Sequence, residues 1–559
     1  MKKITQSKIC LFIAGILVIG CEKTNFLKDG STSNTTEGTI TEQQLWSNDT
    51  YARGVLNNAY ADIVEEFDMD GSGALRASGS DEAVNSNLNS SINTFNNGTW
   101  SSTRTVDNRY ADMYNGIRKT NLLLKNLPTA EIVPQDGLTQ AADRERLLGE
   151  AYFLRALFHF ELFKRFGPIP LATRVFDRLE DLNLPRSNYQ DCINQIASDC
   201  DLAIARLPEW TQSWSTLQRG RATQTAALAL KSRLYLYDAS PLNNPTGDLT
   251  RWQRAADAAK ALIDRNKHQI LNSYANVFNY NSAAYNNEVI FAGRANNINS
   301  IEINNAPISY DGANGRTNPT QELVDAFGMA NGRPITDPAS GYNPADPYTN
   351  RDPRFALNIN HNGRLFKNIS IETFLGGKDG IDRNVNATKT GYYMRKFLSE
   401  SATWNQQANS NVRRPWILFR YAETLLNYAE ALNEAQGPVA DVYTYLNQVR
   451  RRPDVNLPLL VIATPLLTKD QMRIIIQNER RVELCFEGHR FFDVRRWKKG
   501  NEFFNKPVTG MRITRLPNDT FTYQQFTVEN RVFTEKNYLF PFSQSDINRQ
   551  PALVQNTGW

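Results

Sequence analysis

"DRERLLGEAYFLRALFHFELFKRF" (residues 143–166) is the stretch that decides the fold class. Its apolar residues recur three and four positions apart, so Leu147, Leu154 and Leu162 fall on one face of a helix. The "GPIP" that follows brings a glycine and two prolines, which end helices. The stretch therefore predicts a long amphipathic helix with one buried face.

Five further stretches have the same helical periodicity and come mostly in pairs. They are residues 189–208, 222–240, 252–266, 416–437 and 438–453. Alanines at close-packing positions, an aromatic residue in each helix and prolines at the exits resemble degenerate tetratricopeptide pairs. We expect a mainly α fold in which such pairs stack into a scaffold, over about residues 45–265 and 416–500.

The segments between these helices have a different composition. Residues 68–108 and 272–415 are rich in Asn, Gly, Ser, Tyr and Trp and contain only short apolar runs. Such composition is typical of loops and short strands that project from a frame. We predict a loop-rich ligand-binding insertion over about residues 266–415.

The N-terminus resembles a bacterial lipoprotein signal. Lysines precede the apolar run "ICLFIAGILVIG", which is too short to span a bilayer but suits a secretory signal peptide. The run ends in "VIGC", which resembles a lipobox. We therefore predict a signal peptide over residues 1–20 and a mature chain, residues 21–559, that is lipidated at Cys21.

Net charge and cysteines limit the function classes. The formal charge is +5, and the loss of Lys2, Lys3 and Lys8 with the signal peptide lowers it to +2, which gives little reason to expect nucleic-acid binding. Cys192 and Cys200 are eight residues apart in a helical pattern, a separation of roughly 12 Å that exceeds disulfide reach.

The conspicuous stretch "NERRVELCFEGHRFFDVRRWKKG" (residues 478–500) suggests an active site at first sight. Read as one helix, it aligns three glutamates on one ridge, where like charges repel. They are Glu479, Glu483 and Glu487. We expect these carboxylates to pair with arginines, locally Arg480 and Arg490, and with Arg420 from a neighbouring helix.

Catalytic and metal-binding interpretations of this stretch fit the spacing less well. His489 is two positions from the last glutamate, whereas carboxylate metal sites use a spacing of three. Cys485 shares an apolar face with Val482 and Phe486, where a thiol is inert. The chain also lacks the common hydrolase, metalloprotease, phosphate-loop and dinucleotide motifs. We expect no enzyme activity, no metal site and no cofactor.

Aromatic residues in polar loops are the stronger candidates for ligand binding. Trp100, Tyr285, Tyr310 and Trp404 lie among Asn, Ser, Gly and Asp. An exposed ring can stack on a sugar face while polar neighbours bind its hydroxyl groups. The alternative is that each ring packs back onto the scaffold.

Several blocks of the chain, taken in order, resemble the SusD/RagB family. They are the lipobox at Cys21, "GEAYFLRALFHFELFKRFGPIPL" (149–171), "ALALKSRLYLYDAS" (227–240), "NPTQELVDAF" (318–327), "RYAETLLNYAEALNEA" (420–435), "NERRVELCFEGHRFFDVRRW" (478–497) and the tail "YLFPFSQSDINRQPALVQNTGW" (538–559). The resemblance covers essentially the whole mature chain.

The resemblance implies a lipid-anchored protein of the bacterial outer membrane that faces the outside. Such a protein has four tetratricopeptide-like pairs, captures oligosaccharides or polysaccharides and delivers them to a SusC-like TonB-dependent transporter. Three alternatives remain open. They are a peptide-binding lid of an oligopeptide importer, as some family members resemble, a surface glycosidase, and a ligand-free structural adaptor.

The resemblance also implies site residues. A tryptophan before the helix "YNGIRKTNLLL" stacks on glucan in starch-binding members, and Trp100 corresponds to it. Loops that precede "PTQELVDAF" carry further contacts, which implies Tyr285 and Tyr310. Polar residues after the first helix imply Asp81 and Glu82.

Overall fold

A computed structural model describes residues 42–176, 178, 180–211, 220–278, 286–310, 312–404, 409–462 and 467–559. The chain divides into two compact units, Met1–Leu45 and Trp46–Trp559. Of the first unit, residues 42–45 are described, as the start of a short helix. The second unit carries all further elements.

The described residues are mainly helical, with 42% of residues in helices and 11% in strands, which confirms the predicted fold class. The α-helices are α1 (Glu42–Trp46), α2 (Asp49–Tyr60), α3 (Asn93–Asn96), α4 (Tyr110–Asn126), α5 (Gln140–Phe166), α6 (Tyr189–Arg206), α7 (Gln224–Ala239), α8 (Leu249–Ile263), α9 (Tyr274–Val277), α10 (Ser300–Asn305), α11 (Gln321–Ala326), α12 (Pro353–Asn358), α13 (Tyr421–Gln436), α14 (Ala440–Arg450), α15 (Lys469–Glu483), α16 (His489–Arg496), α17 (Gly500–Phe503) and α18 (Gln544–Arg549).

The strands are short and pair antiparallel in twos within the described residues. They are β1 (Ala83–Asn85), β2 (Val289–Ala292), β3 (Asn296–Ile298), β4 (Thr317–Pro319), β5 (Ile359–Asn360), β6 (Leu365–Phe366), β7 (Ile369–Ser370), β8 (Tyr393–Met394), β9 (Thr403–Trp404), β10 (Asn409–Ser410), β11 (Val412–Arg414), β12 (Ile417–Arg420), β13 (Pro507–Arg515) and β14 (Phe521–Asn530). Most of them lie between α8 and α13, as the composition of the predicted insertion indicates.

Helix α5 forms where the sequence predicts it. The side chain of Thr139 caps its first turn by accepting a hydrogen bond from the amide of Ala142 at 3.2 Å. Gly167 ends it with a φ of 71°, a conformation that favours glycine, and Pro168 follows. Leu147, Leu154 and Leu162 are all buried, which confirms the predicted apolar face.

The long helices pack on one another in succession. Helix α4 packs on α5, α5 on α6, α6 on α7 and α7 on α8. Helix α13 then packs directly on α8 although the loop-rich insertion separates them in sequence, and α14 continues the series. The frame is therefore continuous across the insertion. Its tetratricopeptide-like character stays a prediction. No described helix is long and apolar enough to cross a membrane.

One predicted helix begins later than its periodicity indicates. The stretch that starts at Trp416 first forms strand β12, which pairs with β2, and becomes helical at Tyr421. The run from Trp416 to Phe419 consists of aromatic and aliphatic residues that suit a pleated surface. A strand partner more than one hundred residues away is not visible in local periodicity.

Two large apolar clusters form the core. One follows the long helices, and the other lies under the loop-rich segments. The second cluster contains Val482, Cys485 and Phe486, so residues 478–500 form part of its floor.

The prediction of one helix over residues 478–500 is wrong. Helix α15 ends at Glu483, and α16 begins at His489 after a turn. Phe486 and Gly488 adopt φ values of 64° and 79°, which a right-handed helix cannot accommodate. Residues 478–500 thus form parts of two helices joined by a turn, and the two helices present their side chains in different directions.

Candidate functional site

The prediction that Trp100 is an exposed ring is wrong. Its side chain is 2% exposed and packs edge-to-face against Phe95, Phe540 and Trp559, with ring centroids 4.6–5.2 Å apart. The polar neighbours of Trp100 suggested a free loop, but the C-terminal segment covers it. No ring face is left for a sugar.

Asp81 and Glu82 are also buried, so the prediction that they contact sugar does not fit the structure. Asp81 accepts hydrogen bonds from Arg490 at 2.8 Å and pairs with Arg481 at 2.9 Å. Burial would raise the pKa of Asp81, but the two arginine charges hold it well below its usual range. Through these contacts the Asp81 carboxylate holds the α15–α16 segment against the rest of the fold.

Glu82 lies beside this ion pair without a cation of its own. One carboxylate oxygen accepts a hydrogen bond from the amide of Phe486 at 3.3 Å, and the other has no partner among the described residues. Burial, and then the charge of Asp81, raise the pKa of Glu82 to about 8. Neither acidic residue is accessible to a ligand.

The remaining predicted residues divide between described and undescribed parts of the chain. Tyr285 and Cys21 lie outside the described residues. Tyr310 is buried, and its hydroxyl group donates to the carbonyl of Phe366. Trp404 on β9 is half-buried, with a ring centroid 6.4 Å from that of Tyr310. Of the four predicted rings, Trp404 is thus the described one with an exposed portion.

An open cleft of about 250 Å³ lies in the loop-rich half. Tyr274, Phe278 and Phe397 are among its lining residues, and they are 1%, 9% and 9% exposed. Leu398 lines it as well and packs against the same small apolar cluster as Trp404. We call this cleft the loop cleft; Trp404 is not among its lining residues, and the ammonium group of Lys367 lies 4.4 Å from the centroid of the Trp404 ring.

Polar side chains rim the loop cleft. Arg395 and Glu400 form an ion pair of 2.6 Å at its edge, and Ser399 lies between them in sequence. The amide of Ser399 donates to Glu302, which also binds Arg414, so the rim segment is tied to the floor. Aromatic walls with a few convergent polar groups are the general form of a small-ligand site.

Phe397 adopts a left-handed conformation, with a φ of 69°. Such a conformation is costly for a bulky residue and persists only when its surroundings enforce it. Here the ring packs against Phe278 at 5.3 Å, and Arg414 donates to the Phe397 carbonyl. The strained turn thus positions Phe397 as one wall of the cleft.

Below the cleft lies a buried network of charges centred on Glu483. Its carboxylate binds the guanidinium groups of Arg354, Arg420 and Arg452 at 2.9–3.0 Å. Burial would raise the pKa of Glu483, but these three charges outweigh it and hold the pKa far below its usual range. Glu479 joins through Arg354, as the predicted pairing of these glutamates requires.

The predicted pairing with Arg420 is confirmed, whereas the predicted local partners differ. Arg420 bridges Glu483 and Glu487, with distances of 2.9 and 2.7 Å. Arg480 instead pairs with Asp493, and Arg490 pairs with Asp81 as described above. The turn at Gly488 rotates α16 away from the ridge, which accounts for the partner of Arg490.

Lys396 connects the network to the cleft. Its ammonium group is buried, binds Glu487 and the hydroxyl group of Tyr274 at 2.7 Å each, and lies 4.4 Å from the ring centroid of Phe278. Because both rings line the cleft, the charge network holds the cleft floor from below.

The thiol and the imidazole of the α15–α16 segment are not arranged for catalysis. Cys485 is fully buried, and burial raises its pKa to about 12, which disfavours the reactive thiolate. Burial lowers the pKa of His489 to about 4. Cys192 and Cys200 are free and buried, as predicted. In the described part of the chain, no group of three His, Cys, Asp or Glu residues could hold a metal ion.

Sequence reasoning did not identify the residues of the loop cleft. Short apolar runs contain Tyr274, Phe278 and Phe397, and such runs are typical of residues that hold a loop against the core. A usable signal was the polar, aromatic stretch "RKFLSESATW" (residues 395–404), which joins the rim to Trp404. The close approach of residues 274–278 to this stretch has no local signature.

Comparison with known proteins identifies two matching sequence families. A family described as "SusD family" matches residues 287–559, and one described as "Starch-binding associating with outer membrane" matches residues 55–236. Two SusD-like proteins of Formosa agariphila are 25% and 24% identical to this chain. The alignments cover 70% of this chain and 70% of the first, and 86% of this chain and 90% of the second.

Solved structures show the same fold. A SusD-like protein from Bacteroides fragilis has a TM-score of 0.78 at 28% identity, covering 93% of this chain and 99% of that one. A SusD-like carbohydrate-binding protein from the same species has a TM-score of 0.76 at 24% identity, with 91% and 100% covered. A laminarin-binding SusD-like protein has a TM-score of 0.65 at 24% identity, with 92% and 100% covered.

Proposed function

Because this chain belongs to the SusD/RagB family, we propose that it binds oligosaccharides or polysaccharides without catalysing a reaction and that the loop cleft is the binding site. The observation that carries the proposal is the loop cleft, in which apolar surface from Phe397 and Leu398 meets the polar groups of Arg395, Ser399 and Glu400. The description of the matched family as starch-binding and associated with the outer membrane supports it.

The chemistry of the cleft suits a neutral glycan. Phe278 and Phe397, each 9% exposed, and the half-buried Leu398 offer a small apolar surface for the C–H side of a sugar, and the rim offers one cation, one carboxylate and a hydroxyl group for its hydroxyls. The rim charges cancel in the Arg395–Glu400 pair. Binding should therefore depend little on salt, since no net charge is screened.

The cellular role follows from the family and the N-terminal signal. We propose that the mature chain is anchored to the outer membrane by a lipid on Cys21, faces the outside and delivers its ligand to a SusC-like TonB-dependent transporter. Replacement of Cys21 by Ser should release the protein from the membrane fraction. Co-purification of the transporter with the wild-type protein tests the partnership.

Affinity electrophoresis in gels that contain soluble starch or laminarin tests the glycan assignment. At least one neutral polysaccharide of a panel should slow the migration of the wild-type protein in the gel. Trp404→Ala should lower the apparent affinity for that polysaccharide about tenfold. Tyr235→Ala provides the control, because Tyr235 is a half-buried ring on helix α7 outside the loop cleft. Equal loss in both variants would contradict the site. Retention of peptides instead of glycans would favour the peptide-importer alternative.

A further inference from the structure

A second cleft, of about 460 Å³, lies in the helical frame. It forms where the C-terminal end of α8 meets the first residue of α13 and the last turn of α14. Ile263, Tyr421 and Tyr445 contribute its apolar surface, and we call it the frame cleft. Its volume lies in the range of roughly 300–1,000 Å³ that is typical of small-ligand sites.

Four polar side chains of the frame cleft make no hydrogen bond to any described residue. Tyr421 is 7% exposed, yet its hydroxyl group makes no hydrogen bond to any described residue and is not sealed from the cleft. Tyr445, Gln448 and Gln269 line the same cleft, and their side chains also make no hydrogen bond within the described chain. These hydroxyl and amide groups are therefore open to a ligand, or to water in its absence.

The charge of the frame cleft is positive. Its described lining contains two arginines and no carboxylate. Arg452 is neutralised by Glu288 and Glu483, with distances of 2.6 and 2.9 Å. Arg451 is exposed and forms no ion pair with any described residue. One guanidinium group is therefore available.

No described carboxylate lines the cleft beside that charge. Both ring nitrogens of His268 are hydrogen-bonded, and burial lowers its pKa to about 4, so the ring is neutral. Three acidic residues lie close to the lining in sequence without being part of it: Asp264 is paired with Lys260, whereas Asp441 and Asp454 accept hydrogen bonds from the Tyr428 hydroxyl group and the Tyr274 amide. The planar fork of a free arginine matches a carboxylate or sulfate group.

We propose that the frame cleft is a second glycan-binding site, specific for a sugar unit that carries a carboxylate or a sulfate group. Arg451 binds the anionic group. The hydroxyl groups of Tyr421 and Tyr445 and the amides of Gln269 and Gln448 bind sugar hydroxyls. The inference rests on the proposed glycan-binding function for its ligand class, but it concerns different residues.

Titration calorimetry with three probes of equal length tests the proposal. They are an oligogalacturonate, a sulfated oligosaccharide and a neutral malto-oligosaccharide. Wild-type protein should bind at least one acidic probe about tenfold more tightly than the neutral one, and this advantage should shrink between low and high salt. The two acidic arms distinguish the carboxylate from the sulfate.

Two variants and one control locate the site. Arg451→Gln should lose the advantage for the acidic probe, and Tyr421→Phe should weaken the same probe several-fold. Arg549→Gln removes an exposed arginine of α18 that does not line the cleft, and it should bind as the wild type does. Arg451 is exposed and forms no ion pair with any described residue, so its variant should keep the wild-type melting temperature.

A failure of the frame-cleft proposal can be distinguished from a failure of the loop-cleft proposal. Equal affinity for acidic and neutral probes, or an unchanged acidic affinity in Arg451→Gln, would overturn the frame cleft. Neutral-glycan binding that disappears only in Trp404→Ala would in that case leave the proposed function intact. Acidic binding that depends on Arg451 and not on Trp404, without retention by any neutral glycan, would support the frame cleft and overturn the loop cleft.

Discussion

The carboxylate of Glu483 lies 2.9 Å from the guanidinium group of Arg420, joining the last residue of α15 to the residue that precedes α13. Both side chains are at most 1% exposed. The end of α15 is thus tied to the end of strand β12 by a buried ion pair, in addition to the pair of Arg480 with Glu430 that joins α15 to α13.

Replacement of Glu483 by Gln should cost stability and leave ligand choice unchanged. The substitution leaves three arginines without their shared carboxylate, and the loss of one partner from a buried ionic group typically costs 3–5 kcal/mol. Denaturant unfolding measures the loss. Glu502→Gln is the control, because Glu502 is exposed and its pair with Lys499 spans 3.6 Å. Unaltered stability together with lost glycan retention would make Glu483 part of the site.

The stability of the protein should depend on pH through Glu82. Its pKa is raised from 4.5 to about 8, so the folded state keeps a proton that the unfolded state releases between these values. The contribution of Glu82 to stability is therefore full below pH 4.5 and falls as pH rises to 8.

Replacement of Glu82 by Gln removes this titration. The melting temperature of Glu82→Gln relative to wild type should rise between pH 5 and pH 8.5, by an amount equivalent to at most a few kcal/mol. Thermal unfolding of both proteins across this range measures it, again with Glu502→Gln as control. A constant difference would mean that Glu82 is ionised in the folded protein.

Trp100→Ala should behave as a core mutation. Removal of a buried tryptophan side chain costs about 3–5 kcal/mol through lost packing and the cavity left behind. Trp404→Ala, at a half-buried ring, should cost much less. Parallel unfolding and affinity electrophoresis of the two variants separate the roles. A Trp100→Ala protein of wild-type stability that no longer binds glycan would show that this ring reaches the ligand.

The turn between α15 and α16 should not tolerate a side chain at Gly488. Its φ of 79° disfavours any other residue, and an added Cβ would overlap the carboxylate of Glu66, which pairs with Arg76. Gly437 has a φ of 84° and open space around it. Gly437→Ala should therefore cost about 1 kcal/mol in unfolding free energy, and Gly488→Ala clearly more. Equal costs would show that Glu66 moves aside freely.

The local parts of this fold were predictable, because they depend on neighbours in sequence. Helix α5 ends where Gly167 and Pro168 require it, and its apolar face is the one that periodicity indicates. The buried Cys485 and the pairing of Glu483 with Arg420 also follow from spacing and charge.

The candidate site was much less predictable, since it depends on long-range contacts. Trp100 is buried by Phe540 and Trp559, more than four hundred residues later in the chain. The break at Phe486 and Gly488 depends on backbone angles that the surrounding core imposes. The loop cleft forms where residues near Tyr274 meet a strained turn at Phe397. The sequence of neither segment indicates that the two are in contact.

The position of Lys396 bears on how a ligand would come and go. Because this side chain joins the cleft floor to the ionic core, the floor has its shape before any ligand arrives. Association then loses little conformational entropy, and a modest number of contacts suffices for useful affinity.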